Sequence, residues 1–157
     1  MKEMKEWKVV TDSPLQTQRL AEMIGRILSA GSLITLSGDL GAGKTTFTQG
    51  LARGLGIEKR VTSPTFTIMK EYQGRLPLYH IDASRLENIT PDLGFEDYID
   101  GDGVCVIEWA GFIEYVLPDE LLNIEFTIND DNSRTLLFQG HGEKYEEVIS
   151  QICTQWE

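Results

Sequence analysis

The stretch Gly38-Asp39-Leu40-Gly41-Ala42-Gly43-Lys44-Thr45 constrains this chain more than any other. It matches G-x-x-x-x-G-K-[ST], the phosphate-binding P-loop pattern, which carries meaning only between a strand and a helix. Both are predicted here. Leu33-Ile34-Thr35-Leu36 is a short apolar run of the kind a buried central strand shows. A helix is expected from about Thr45 to Leu55, with Gly54 and Gly56 marking its end. The residue types follow from the chemistry. Glycines let successive backbone N–H groups turn inward as an anion nest, and the helix N-terminus adds a positive partial charge. Lys44 is then placed to reach β- and γ-phosphates, the Thr45 hydroxyl to bind Mg²⁺, and Thr46 to contact the α-phosphate. The predicted nucleotide-binding set is Gly38, Asp39, Leu40, Gly41, Ala42, Gly43, Lys44, Thr45 and Thr46.

Such a site also needs a carboxylate at the end of a neighbouring strand for the metal shell. Two candidates exist. Asp82 ends Leu78-Tyr79-His80-Ile81, and Glu108 ends Val104-Cys105-Val106-Ile107. Ligands of open α/β sheets lie at strand carboxyl ends, so both acids are expected near the γ-phosphate. One would hold Mg²⁺, directly or through water, and the other would orient the attacking water. The residues leave open which does which. Ser63-Pro64-Thr65 lies between the P-loop helix and the Asp82 strand. Proline forces Ser63 out of helical geometry, and a γ-phosphate-sensing segment often occupies this place. Thr65 is therefore a candidate phosphate or Mg²⁺ contact, although a plain strand-entry turn explains the same residues equally well. A lone strand histidine such as His80 reads as structural rather than catalytic, and Trp109 reads as packing.

The rest of the chain bounds the class. Its 157 residues fit one domain, 1–157, of ordinary size. A strand at Trp7–Thr11 leads to Ser13 as N-cap and Pro14 at the first helical position. Leu15, Leu20, Ile24, Ile27 and Leu28 form the predicted apolar stripe of a helix ending near Gly31. Thr65–Tyr72 and Leu76–Ile81 read as a hairpin through Gln73-Gly74-Arg75. Gly103–Trp109 reads as a second buried strand. Leu121–Ile128 and Thr135–Phe138 read as a late hairpin around Asp130-Asp131-Asn132, and Glu143–Gln155 as a closing helix. Short helices are expected near 92–98 and 110–116. Early strand–helix alternation with later hairpins implies an α/β fold, a P-loop NTPase-like mixed sheet flanked by helices.

Fourteen Lys+Arg against 25 Asp+Glu give a net charge of −11, which disfavours unaided binding to DNA, RNA or anionic membranes. Two cysteines make neither a disulfide framework nor a CxxC metal pattern. The segment from Met1 to Lys8 lacks the apolar stretch of a signal peptide. A cytoplasmic protein is expected.

The ordered set Gly38–Thr46, Val61-Thr62-Ser63-Pro64-Thr65-Phe66, His80-Ile81-Asp82 with Arg85-Leu86, and Ile107-Glu108-Trp109 resembles the TsaE family, also called YjeE or YdiB. These are small bacterial P-loop ATPases needed for threonylcarbamoyladenosine (t6A) modification of tRNA. The likeness runs from about Thr11 to Gly140. It implies ATP as the nucleotide, Mg²⁺ near Thr45 and Glu108, and Asp82 as the acid of the second nucleotide motif. Thr11 matches a position near the base, and Arg134 a basic residue of the late hairpin near the nucleotide. The implied partners are TsaB and TsaD. TsaD transfers the threonylcarbamoyl group to adenosine 37, the ATPase drives the cycle, and tRNA is met only through the complex.

Other readings of the residues compete. A small-molecule kinase needs an Arg-rich lid, whereas Arg53, Arg60, Arg75, Arg85 and Arg134 are scattered. A GTP switch lacks its guanine-reading Asn-Lys-x-Asp. An ATP-dependent scaffold with negligible turnover stays open, because Ser63–Phe66 ordering only in a complex would leave the isolated chain slow.

Overall fold

The described elements are β1 (Met4–Thr11), α1 (Pro14–Ile27), β2 (Ser32–Gly38), α2 (Lys44–Gly54), β3 (Met69–Tyr72), β4 (Leu78–Asp82), β5 (Val104–Glu108), β6 (Leu121–Ile128), β7 (Arg134–His141) and α3 (Glu143–Gln155). They come from a computed structural model that describes residues 4–38, 43–62, 69–82, 99, 101–108 and 117–156. The expected short helices at 92–98 and 110–116 lie outside those residues, as do Asp39 to Ala42, Ser63 to Phe66, Arg85, Leu86 and Trp109.

Seven strands form one mixed sheet in the order β1-β7-β6-β2-β5-β4-β3. β2 runs parallel to both β5 and β6, and β4 runs parallel to β5. Antiparallel hairpins β3–β4 and β6–β7 close the two sides, and β1 pairs antiparallel with β7. The apolar runs explain the centre. Leu33, Ile34, Leu36 and Val104 to Ile107 are buried, so β2 and β5 are covered on both faces. β6 and β7 instead alternate between buried and more exposed positions, as hairpin strands with one covered face do.

Alternation sorts the two faces. Ile34, Leu36, Leu78, Val104 and Val106 join α1, α2 and α3 in the large core cluster. Leu33, Tyr79, Ile81, Cys105 and Ile107 form a smaller cluster with Ile99 on the other face. Phe47 anchors α2 to the sheet, its ring centroid 5.8 Å from Phe126 and 6.5 Å from Phe138. The seam between α1 and α2 is backbone against backbone. A Cβ at Gly25 would stand 2.4 Å from the Leu51 carbonyl oxygen, and one at Gly54 2.3 Å from that of Glu22. Gly54 thus ends α2, as the sequence predicts, and also lets the two helices touch.

Two local expectations change. Ser13 does cap α1, accepting from the Gln16 N–H, with Pro14 in the first turn. The helix, however, stops at Ile27 rather than near Gly31. Leu28 is extended, and the Arg75 guanidinium donates to the carbonyls of Gly25 (2.7 Å) and Leu28 (3.2 Å). Leu15 is not part of the buried stripe and is 55% exposed. It lies five residues before Leu20, about 140° away around a 3.6-residue turn. Thr17, Leu20, Ala21 and Ile24 carry the covered face instead.

Candidate functional site

The site gathers where β2 hands over to α2. Gly38 closes β2 with φ +114°, and a Cβ there would sit 2.1 Å from the Phe126 carbonyl oxygen, so glycine is required on both counts. Gly43 (φ 104°) is the N-cap of α2 in the left-handed region, and no side chain among the described residues caps that helix. An N-terminus left open in this way is a docking point for an anion. Lys44 is buried, and its Nζ donates to the Gly38 carbonyl across the loop mouth at 3.2 Å. Thr45 and Thr46 follow in the first turn, both partly exposed. The other predicted loop contacts, Asp39, Leu40, Gly41 and Ala42, and the candidate Thr65 lie outside the described residues.

The two candidate acids come together. Asp82 is in register with Glu108 across β4–β5, and Glu108 with Leu36 across β5–β2. In-register residues of neighbouring parallel strands share a face, about 4.8 Å apart in the hydrogen-bonding direction. Asp82 and Glu108 therefore stand abreast at the strand ends, on the face that packs against α2, since each alternates with residues of the smaller cluster. Asp82 is half-buried and Glu108 buried. The Glu108 Oε2 atom is 2.6 Å from His80 Nε2, and the imidazole is fully buried.

A cleft of about 220 Å³ opens on the other side of Gly43, lined by Asp12, Ser13, Thr17, Thr46, Asn132 and Arg134 among others. Arg134 and Thr46 thus share one cavity beside the loop. Thr11 does not present its side chain there. It is fully buried, and its hydroxyl is hydrogen-bonded to that of Thr17 at 2.7 Å. The residues just after it reach the cleft. The β6–β7 turn shapes the far wall. Asn132 has φ 69°, a left-handed conformation that asparagine tolerates better than most residues. Ser133 donates from both its hydroxyl (2.6 Å) and its N–H (3.1 Å) to Asp131 Oδ1. These bonds hold the Asp131 carboxyl below its ordinary range.

Sequence reasoning missed Asn132, Asp12 and Ser13 as cleft residues, and missed the contact of His80 with Glu108. A signal for the first set was present in the Asp-Asp-Asn turn, whose residue types favour positive φ. For His80 the signal was its period-2 spacing from Asp82, which puts both on one face.

The donor set suits a nucleotide-bound Mg²⁺. Among the described residues no group of three or more His, Cys, Asp or Glu could cage a metal. Mg²⁺ seldom uses such a cage. It keeps several waters and takes one or two carboxylates plus phosphate oxygens, and one hydroxyl (Thr45) with two neighbouring acids matches that demand. No helix among the described residues is long and apolar enough to cross a membrane.

Comparison with known proteins identifies the family. Residues 11–136 match the family described as threonylcarbamoyl adenosine biosynthesis protein TsaE. The chain is 47% identical over 150 residues to the tRNA threonylcarbamoyladenosine biosynthesis protein TsaE of Bacillus subtilis, covering 95% of each. It is 42% identical over 131 residues to the protein of the same name from Treponema pallidum, covering 82% of this chain and 97% of that one. The crystal structure of YdiB from Bacillus subtilis superposes with a TM-score of 0.82 and 39% identity, over 100% of this chain and 99% of that one. With a family match over residues 11–136 and relatives of this identity and coverage, the chain belongs to the TsaE family.

Proposed function

We propose that the protein is a Mg²⁺-dependent ATPase of the bacterial tRNA t6A modification machinery. In this reading it works in the cytoplasm with TsaB and TsaD, reaches tRNA only through that complex, and drives the transferase cycle without doing the transfer. The observation that carries the reading is the row of Asp82 and Glu108 at adjacent strand ends, beside the N-terminus of α2, which no side chain among the described residues caps. The names of the curated relatives supply the pathway.

Each residue has a task. The first turn of α2 receives the phosphates, and Lys44 leaves the Gly38 carbonyl to meet them. Thr45 and Glu108 hold the cation, and Asp82 orients water toward the γ-phosphate. Bound Mg²⁺ would supply charge neutralisation on the β- and γ-oxygens. The cleft beside Arg134 takes the nucleoside end. A kinase reading gains no support from the described arginines. Arg53 donates to Gln18, Arg75 to the end of α1, and Arg134 to the Asn132 carbonyl.

The test is phosphate release from ATP by the chain alone and with purified TsaB and TsaD, with a pull-down from native cells in parallel. Turnover stimulated by the partners, with their co-purification, is expected. Binding of both partners with turnover unchanged would favour an ATP-dependent scaffold. Phosphate appearing on a small acceptor would favour a kinase.

A further inference from the structure

His80 is fully buried on β4, two residues before Asp82 and on the same face. It sits in register with Val106, one step diagonally from Glu108. Its Nε2 meets Glu108 Oε2 at 2.6 Å, and it is the one hydrogen-bond partner of that carboxylate among the described residues. Its Nδ1 is buried with no partner among the described residues. A strand that needed only packing here would have an apolar residue, because burying an imidazole with one nitrogen unpaired is costly. An ionised carboxylate only accepts, so this contact needs a hydrogen on Nε2. Groups that hydrogen-bond to a metal-binding side chain set its orientation and its affinity.

We propose that His80 is the positioning residue of this site: Nε2–H, donated to Glu108 Oε2, fixes the carboxylate and leaves Oε1 for the nucleotide-bound divalent cation. The proposal rests on the nucleotide reading above. The donor is rigid because the ring is fully buried, so the carboxylate needs no reordering when the cation arrives.

The experiment titrates Mn²⁺, followed by electron paramagnetic resonance, into the ATP-loaded protein and its His80→Leu and His80→Gln variants. Leucine removes the donor at similar volume, whereas the glutamine amide restores an N–H near the Nε2 position. The Mn²⁺ dissociation constant should rise about 10–100-fold in His80→Leu and return to within about threefold in His80→Gln. ATP affinity in EDTA should be the same in all three. Folded His80→Leu with wild-type Mn²⁺ affinity overturns the proposal and leaves the nucleotide reading standing. Glutamine failing as badly as leucine also overturns it, since the donor would then be irrelevant. A wild-type protein that binds neither ATP nor Mn²⁺ overturns both. If the variants do not fold, ¹⁵N imidazole shifts of the wild-type protein without ligand decide. A protonated Nε2 is expected, and an unprotonated Nε2 ends the proposal.

Discussion

The two halves of the sheet are built differently and carry different parts of the candidate site. The parallel half, β2, β5 and β4, is buried on both faces, and its polar residues are few: Ser32, Thr35, His80 and Glu108 are all buried, and Ser37 and Asp82 are half-buried near strand ends. The antiparallel half, β6, β7 and β1, alternates and exposes one face, with Val10 48% exposed on the edge strand. A polar group inside an apolar run must find a partner or a ligand: Ser32 donates to the Ser29 carbonyl and Thr35 to Asn123, whereas His80, Glu108 and Asp82 gather at the strand ends on the face of α2. In the alternating half polar residues are ordinary, so its contribution, the cleft wall at Asn132 and Arg134, is hidden among many surface groups. In the proposed function, chemistry is thus concentrated in the parallel half, and shape for the nucleoside end in the antiparallel half.

This division makes ordered predictions. The largest effect belongs to Lys44→Ala, at the head of α2. Turnover should fall about 10³-fold, as for loss of a main donor to developing charge, and calorimetry should show ATP affinity falling with it. Retained affinity would remove Lys44 from the phosphate site. Next comes Glu108→Ala, with kcat down about 10²-fold and ATP affinity within about threefold, because the group acts on positioning. Equal losses in kcat and binding would mean that the parallel half merely holds the nucleotide. Arg134→Ala, in the other half, should do the reverse. ATP affinity should weaken about tenfold with kcat nearly unchanged, the signature of uniform binding, in steady-state assays. A loss confined to kcat would break the proposed division.

The smallest effect is on stability. Burial pushes the Cys105 thiol, on β5, up to about 12 from 9.0. The unfolded thiol ionises first as pH rises, so the unfolded state then holds fewer protons. This contribution is therefore intact below about pH 9 and shrinks as pH climbs toward 12. Asp131, in the β6–β7 turn, is shifted the other way, so its contribution is present above the ordinary 3.8 and fades as pH falls below it. Urea midpoints at about pH 8 and about pH 10.5 should separate for the wild type and converge for Cys105→Val. An identical alkaline loss in Cys105→Val would assign it elsewhere.

Much of this was legible beforehand because it is local. The Gly-Lys-Thr loop, the strand before it, the Ser13-Pro14 helix start, both hairpins and α3 depend on residues adjacent in the chain. The stripe of α1 was misjudged at Leu15, because one apolar residue in a first turn says nothing about what faces it. The end of α1 was missed because Arg75, 50 residues beyond Gly25, supplies the terminating donor.

By itself the sequence determined the strand and helix on either side of the glycine-rich segment and the two acid-ended strands, since burial of apolar runs is set by near neighbours. Only the tertiary structure decided that β4 and β5 lie side by side in a register that puts Asp82 against Glu108. The same register carries His80 onto that carboxylate. It also decided that the turn at Asn132 closes a cleft against the start of α1. Strand order and register arise from how separate segments share one core, and no single segment encodes them.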